Sequence, residues 1–460
     1  MSPLERDGDF RTFVWLWASQ SVSVIGTALT FFAVNIWLAQ TLYPRPDQRA
    51  ALAFALSATS LAFAIPTVLA APIAGAWADR HDRKRTMMTM NLASGALSVA
   101  LVMLIATHRL GLAPLLVFMA LYCVCGAFHA ASFETSYAML VPGALLARAT
   151  GMMQSTMALA AVIAPSVAAG LMAVPAWTRA GRLPNLTGEW IGRLGEGAAV
   201  AVAVDALSFL LAAAALVFLL IPSPPRGLPE PGATRAGLLD DVRSGWVYIA
   251  RRPPLLWLLA SFAAVNFVLG PITVMQPLLI KFNLAADWKA RGFRFESALA
   301  LLATVHGLGG ICGAVAVSLS GGLRTRRIRA VLLPLCFAGL LIALFGGSDS
   351  LVRSAALLFL LGAIWPIVSA HSQAIWMAQT PREIQGRVFS VRRLIAQFTF
   401  PLGATLAGWM GGRFDPGASI AVLGVILAGF GLSQLFNRQL MRVEDKAWLD
   451  RNASPTESPG

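Results

Sequence analysis

Apolar and polar positions along this chain segregate in blocks of about twenty residues, the length of helix that crosses a hydrocarbon core roughly 30 Å thick. Apolar runs occupy residues 12–38, 52–74, 86–106, 113–133, 150–174, 198–221, 255–280, 297–319, 328–346, 353–376, 387–411 and 418–437. Charged residues collect between the runs. The densest collection is Gly75-Ala-Trp-Ala-Asp79-Arg80-His-Asp82-Arg83-Lys84-Arg85, between the second and third. Charges on this scale cannot lie in lipid at low cost, so this segment must be a tight turn at a membrane face. The pattern predicts an all-α polytopic membrane protein with twelve transmembrane helices.

Composition agrees. Hydrophobic residues make up 57% of the chain and charged residues 13%, against about 25% charged in soluble domains. The net charge of +14 sits in short interhelical clusters, which points away from a nucleic-acid partner and toward membrane topology. With the N-terminus inside, about 24 of the 36 Lys and Arg residues fall on the cytoplasmic side. That bias, with an even helix count, predicts an inner-membrane protein with both termini cytoplasmic. Two longer external loops, 175–197 and 281–296, carry aromatic tips at Trp177, Trp190, Trp288 and Phe293. The first run is too long for a signal-peptide core and is expected to be retained.

Residues 222–254 open with Pro222-Ser-Pro-Pro and divide the runs six and six. The expected organisation is a six-helix bundle over 1–221, a cytoplasmic linker with a surface helix over 222–254, a second six-helix bundle over 255–437, and a polar cytoplasmic tail over 438–460. Weak internal echoes, such as Gly321-Gly-Leu-Arg324-Thr-Arg326-Arg327 after the eighth run, imply two pseudo-symmetric bundles.

The spacing Gly75-x-x-Ala-Asp79-Arg80-x-x-Arg83-Lys84 resembles the loop signature of the major facilitator superfamily. The helix count and central linker agree. Phe10-Arg-Thr-Phe-Val-Trp-Leu-Trp, Arg148-Ala-Thr-Gly151, Gly386-Arg387-Val-Phe-Ser390 and Pro401-Leu-Gly403 resemble its drug:proton antiporter branch, which includes macrolide and siderophore exporters. Asp82 stands where the wider superfamily often has Gly, and the antiporter signature of the fifth helix is reduced to Ala160, Ala164-Pro165 and Ala169-Gly170.

The resemblance implies a conformational gate of Gly75, Asp79, Arg80, Arg83, Gly386 and Arg387, with Asp79 facing a helix N-terminus when the cytoplasmic side is closed. Stripes of polar and small residues at helical spacing nominate a substrate cavity of Ser23, Thr30, Trp37, Tyr122, His129, Gln154, Asn266, Thr273, Trp365, Ser369 and Gln397; helix packing is the competing role for such residues. Proton-coupling candidates are Glu134 near the inner end of the fourth helix, Asp205 near the outer end of the sixth, and His306 on the eighth. Asp205 has the competing role of a helix-start residue.

The four cysteines lie in apolar runs with no metal or disulfide spacing, and no phosphate-binding loop, metalloprotease motif or nucleophile elbow is present. The expectation is a secondary transporter, not an enzyme, without cofactor or metal. It would act as a monomer in the bilayer, exporting an amphipathic small molecule against protons. An uptake symporter or lipid transporter on the same fold, and a non-transporting membrane sensor, are the alternatives.

Overall fold

The computed structural model describes residues 3–78, 80–142, 145–180, 196–221, 238–323, 325–381 and 384–445. Among them are twelve long helices: α1 (Pro3–Trp37), α2 (Arg49–Ala78), α3 (Arg83–Ala106), α4 (Leu112–Leu140), α5 (Leu146–Arg179), α6 (Gly197–Phe218), α8 (Pro253–Phe282), α10 (Phe295–Ser320), α11 (Arg327–Gly346), α12 (Leu351–Gln379), α13 (Gln385–Met410) and α14 (Pro416–Leu435). Two short helices join them, α7 (Leu238–Ala250) and α9 (Ala285–Ala290). Eleven of the twelve are apolar enough along their length to cross a membrane. The twelfth, α13, is as long as the others but carries Arg387, Arg392 and Arg393. Internal prolines, including Pro271 and Pro277 of α8, leave the helices unbroken, as membrane helices permit when neighbours satisfy the freed carbonyls.

The chain forms two compact units, Met1–Leu228 with Gly292–Thr304 and Pro229–Arg291 with Val305–Gly460. In the first, α6 packs on α1 and α3, α4 packs on α2 and α3, and α5 packs on α1. The start of α10 is held in this unit. Gln40 donates to Glu296 at 2.7 Å, and Thr304 Oγ1 reaches Ser166 at 2.8 Å and donates to the Val162 carbonyl at 3.1 Å.

In the second unit α11 packs on α12 and α14, and α8 on α13 and α14. Glycines set the closest approach. A Cβ on Gly270 of α8 would stand 2.2 Å from the Phe400 carbonyl oxygen, and one on Gly403 of α13 would stand 2.0 Å from that of Phe267. Backbone-to-backbone contact of this kind supplies the dispersion that lipid-exposed side chains cannot.

Three expectations change. The linker helix α7 packs against α13 and α8 rather than lying free, with Ile249 fully buried and the Tyr248 hydroxyl donating to the Gln379 carbonyl at 2.7 Å. The start of the polar tail also belongs to the core, since Leu440 and Val443 are fully buried and Glu444 accepts the Ile328 amide at 3.2 Å. Trp288 is no exposed tip: its indole folds back to donate to the Ile280 carbonyl at 2.8 Å. Trp190 lies outside the described residues.

Asp287 of α9 clamps this end of the unit. Its carboxylate accepts from Arg291 Nε at 2.9 Å and from the Leu351 amide at 2.8 Å. The Arg291 hydrogen bond, that amide, and the charges of Arg291 and Arg353 hold the carboxyl below the ordinary aspartate range. A depressed carboxyl contributes stability above its unfolded pKa, about 3.9, and loses it as pH falls through the lower folded value. Asp287→Asn should therefore lower the melting temperature at pH 7, with the difference from wild type vanishing only as acid protonates the native carboxyl. A difference unchanged into strong acid would show that the carboxylate charge is not what clamps.

Candidate functional site

The turn between α2 and α3 is shorter than its charge suggests, because α2 runs on to Ala78 and α3 begins at Arg83. Asp79 lies outside the described residues. Asp82 is extended (φ −63°, ψ 114°) and its Oδ1 accepts the Arg85 amide at 2.8 Å, capping α3. Arg83 is buried. It donates to the Ala78 carbonyl at 3.3 Å, the Thr135 carbonyl at 3.4 Å and the Met139 sulfur, tying α2, α3 and α4. Lys84 donates to the Val217 carbonyl at 2.9 Å, in the last turn of α6, where a cation complements the helix dipole. Arg80 is exposed, as are Gly386 and Arg387, and among the described residues nothing approaches a Cβ position at Gly75 or Gly386 within 4 Å.

Asp205 is fully buried at the third turn of α6, which removes the helix-start alternative. Its Oδ2 accepts from Thr30 at 2.7 Å, from Tyr122 at 2.7 Å and from Ser98 at 3.5 Å, and its Oδ1 from Ser208 at 3.3 Å. The carboxyl thereby joins α1, α3, α4 and α6, and every one of these donors is neutral. Gly26 makes room for it: a Cβ there would lie 2.6 Å from Oδ1 and 2.3 Å from Ser208 Oγ. The charged form can accept all four hydrogen bonds. The protonated form must donate one, which obliges a hydroxyl to turn.

A second polar network lies along α1. Gln20 Oε1 accepts from Asn91 at 2.9 Å and contacts His129 Nε2 at 3.0 Å, while its amide nitrogen reaches the Ala212 carbonyl at 3.3 Å. An amide oxygen only accepts, so with this amide orientation the His129 proton sits on Nε2. His129 and Glu134 line one pocket of about 160 Å³ with Gln20, Ser21 and Thr156.

The second unit encloses a larger cavity of about 260 Å³. Its walls are leucine, isoleucine and phenylalanine, including Leu269, Ile342, Phe345 and Phe400, and its polar groups are Thr273, Gln276, His306 and Trp365. Thr273 donates to its own helix at the Gly270 carbonyl, 2.8 Å away. His306 Nδ1 lies 3.1 Å from the Leu358 carbonyl. That carbonyl only accepts, so the neutral ring holds its proton on Nδ1 and leaves Nε2 as an acceptor.

The sequence-nominated cavity residues therefore separate. Thr273 and Trp365 line the cavity of the second unit, with the coupling candidate His306, and His129 lines the pocket of the first with Glu134. Ser23, Thr30, Trp37 and Tyr122 are buried inside the first unit. Their polar atoms are engaged there: Ser23 donates to the Gln20 carbonyl at 2.8 Å and Trp37 to Glu196 at 2.6 Å. They pack helices because the α1 stripe, like Tyr122 of α4, faces α6. Asn266 and Ser369 are half-buried and Gln154 is exposed, none of them on either cavity's wall. The side chain of Gln397 lies outside those described. Sequence reasoning missed Gln20, Asn91 and Gln276, although mid-span amides are the very residues that lipid makes expensive.

Comparison with known proteins follows the same lines. The family described as Major Facilitator Superfamily matches residues 16–404. Macrolide efflux protein A of Streptococcus pyogenes is 23% identical over 406 residues, covering 87% of this chain and 89% of that protein. Macrolide efflux protein A of Enterococcus faecalis is 23% identical, covering 76% of this chain and 99% of that one. Among solved structures, a bacterial homolog of the human lysosomal transporter Spinster superposes with TM-score 0.65 at 16% identity, covering 98% and 97% of the two chains. The nucleoside transporter NupG also reaches 0.65, at 10% identity, covering 94% and 98%. At these identities the structural likeness speaks to fold alone.

The capping geometry yields a test. Asp82→Ala should destabilise the protein by about 1 kcal/mol, whereas Asp82→Gly should cost only a few tenths. Thermal denaturation of the two purified variants checks this, and equal losses would mean that Asp82 does something other than cap α3.

Proposed function

The chain belongs to the Major Facilitator Superfamily, and from that premise we propose that it exports an amphipathic small molecule from the cell, driven by proton antiport through alternating access. The cavity of about 260 Å³ in the second unit carries this reading. Its apolar wall with four scattered polar groups suits a ligand recognised by shape and dispersion, with one or two hydrogen bonds fixing its orientation. His306 Nε2 would accept from a ligand hydroxyl or amine. Drug-sized pockets span about 300–1,000 Å³, so this cavity would hold an apolar moiety of a larger substrate or a small one whole. The macrolide efflux relatives support export of such compounds.

Asp205 is the proposed coupling carboxyl. Gaining or losing a proton there changes how four neutral hydroxyls share their hydrogen atoms across α1, α3, α4 and α6, and so links charge to helix packing. The positive-inside bias supports an inner-membrane protein with cytoplasmic termini.

Cells expressing the protein should accumulate less of one or more compounds from a panel of amphipathic antibiotics than cells carrying an empty vector. Thr273→Trp, which fills the cavity, should remove that difference while the protein still reaches the membrane. Equal accumulation across the whole panel would sink the export reading. In proteoliposomes, Asp205→Asn should abolish uptake driven by an imposed pH gradient yet leave substrate counterflow measurable. Gradient-driven transport at the wild-type rate in that variant would remove Asp205 from coupling and leave Glu134 and His306 as the candidates.

A further inference from the structure

We propose that a groove between α2 and α3, floored by α4, is a binding site for an anionic phospholipid. The groove holds about 930 Å³ and has two chemical halves. One is apolar, walled by Ile73 and Trp77 of α2, Met90 of α3, and Val124 and Phe128 of α4. Ile73 is 62% and Trp77 42% exposed, so this wall is uncovered along stretches that are themselves candidate membrane spans. The other half is the end of the turn, where Arg80, His81, Asp82 and Arg85 form the rim. Arg80 and Arg85 are exposed there, while the other two cations of the turn are committed within the protein, Arg83 to α2 and α4 and Lys84 to α6.

The transition between the halves is built. The His81 ring lies flat on the Trp77 indole, with centroids 3.6 Å apart and planes 7° from parallel. Trp77 Nε1 donates to Thr86 at 3.2 Å, and His81 Nδ1 lies 3.1 Å from the Trp77 carbonyl. An aromatic platform at the polar–apolar boundary is where headgroups meet acyl chains. The one described carboxylate on the rim, Asp82, directs Oδ1 to the Arg85 amide, and the exposed arginines supply the charge that matches a phosphate.

The occupant is identified by this pairing. A basic rim at a span's end above an apolar channel at span depth fits one molecule that carries a phosphate on an acyl chain, and basic pockets between membrane helices select anionic lipids. The phosphodiester would sit between the Arg80 and Arg85 guanidiniums. One acyl chain would run down the groove past Trp77 toward Ile73, against Val124 and Phe128. This site is separate from the substrate cavity, which lies in the other unit, so the two proposals stand or fall independently.

Native mass spectrometry of the purified, delipidated full chain tests it, with phosphatidylglycerol or phosphatidylcholine of identical acyl chains added back. At roughly 1 kcal/mol per surface arginine, the wild type should retain phosphatidylglycerol about ten- to thirtyfold better. Arg80→Gln with Arg85→Gln should bring the two lipids to parity, and the charge-preserving Arg80→Lys with Arg85→Lys should keep a preference. Cys125→Trp, which fills the floor, should reduce retention of both lipids. Melting curves establish that each variant is folded. Equal retention by the wild type, a preference that survives the glutamine pair, or a dimer that excludes both lipids because a second copy covers the groove would each overturn the proposal.

Discussion

Among the described residues, Asp205 has four hydroxyl donors and no cation among its hydrogen-bond partners, and the first unit is arranged to keep it that way. A buried carboxyl whose partners are removed costs more than the hydrogen bonds it forms return, because the group left behind can reach no water. Each partner therefore restrains the helix that carries it: Thr30 fixes the rotation of α1, Ser98 that of α3 and Tyr122 that of α4. Gly26 is the complement to these polar contacts, since a side chain there would occupy the space that Asp205 and Ser208 fill.

The end of the unit is held by different means. Asp82 satisfies the N-terminus of α3, Arg83 the carbonyl end of α2 and a carbonyl of α4, and Lys84 a carbonyl of α6. Each terminus would otherwise present unsatisfied backbone groups near the edge of the hydrocarbon. The three adjacent residues divide this work because successive positions at a helix start point about 100° apart. A turn that reads as a block of charge is thus mostly internal hydrogen bonding, and the arginines that remain exposed, Arg80 and Arg85, form the rim of the lipid groove.

The twelve helices and most of their limits were legible in the sequence because lipid imposes one length and one composition on every span; the exceptions are α1, which begins at Pro3 and not at 12, and α4, which ends at Leu140 and not at 133, both helices continuing through polar residues beyond the apolar run. Only α13 strains that rule, through its arginines. The facing of each helix was less legible. The α1 stripe of Ser23, Thr30 and Trp37 is real as a pattern, but in a membrane both a watery cavity and a neighbouring helix select small and hydroxylic residues. Periodicity locates such a face without saying what it meets. Asp205 lay one step further from reach: its role depends on Ser98, Tyr122 and Thr30, which stand 107, 83 and 175 residues away in sequence. The linker and tail misled for a simpler reason, since each hides its few core residues, Ile249, Leu440 and Val443, among polar ones.

The two units have diverged in chemistry while keeping similar helices; α4 and α12 both have 29 residues. The first concentrates buried polar groups at Gln20, Asn91, Ser98 and Asp205. The second walls its His306 cavity with aliphatic and aromatic side chains and joins α8 to α13 through glycine contacts. Polar networks rigidify when fully satisfied and respond sharply when a proton is added or removed. Apolar walls instead accept ligands of varied shape at little penalty. Under the proposed export, a transporter needs both behaviours, and their placement in separate units would let the cavity vary with its ligand without disturbing the carboxyl on which the helix packing of the first unit depends.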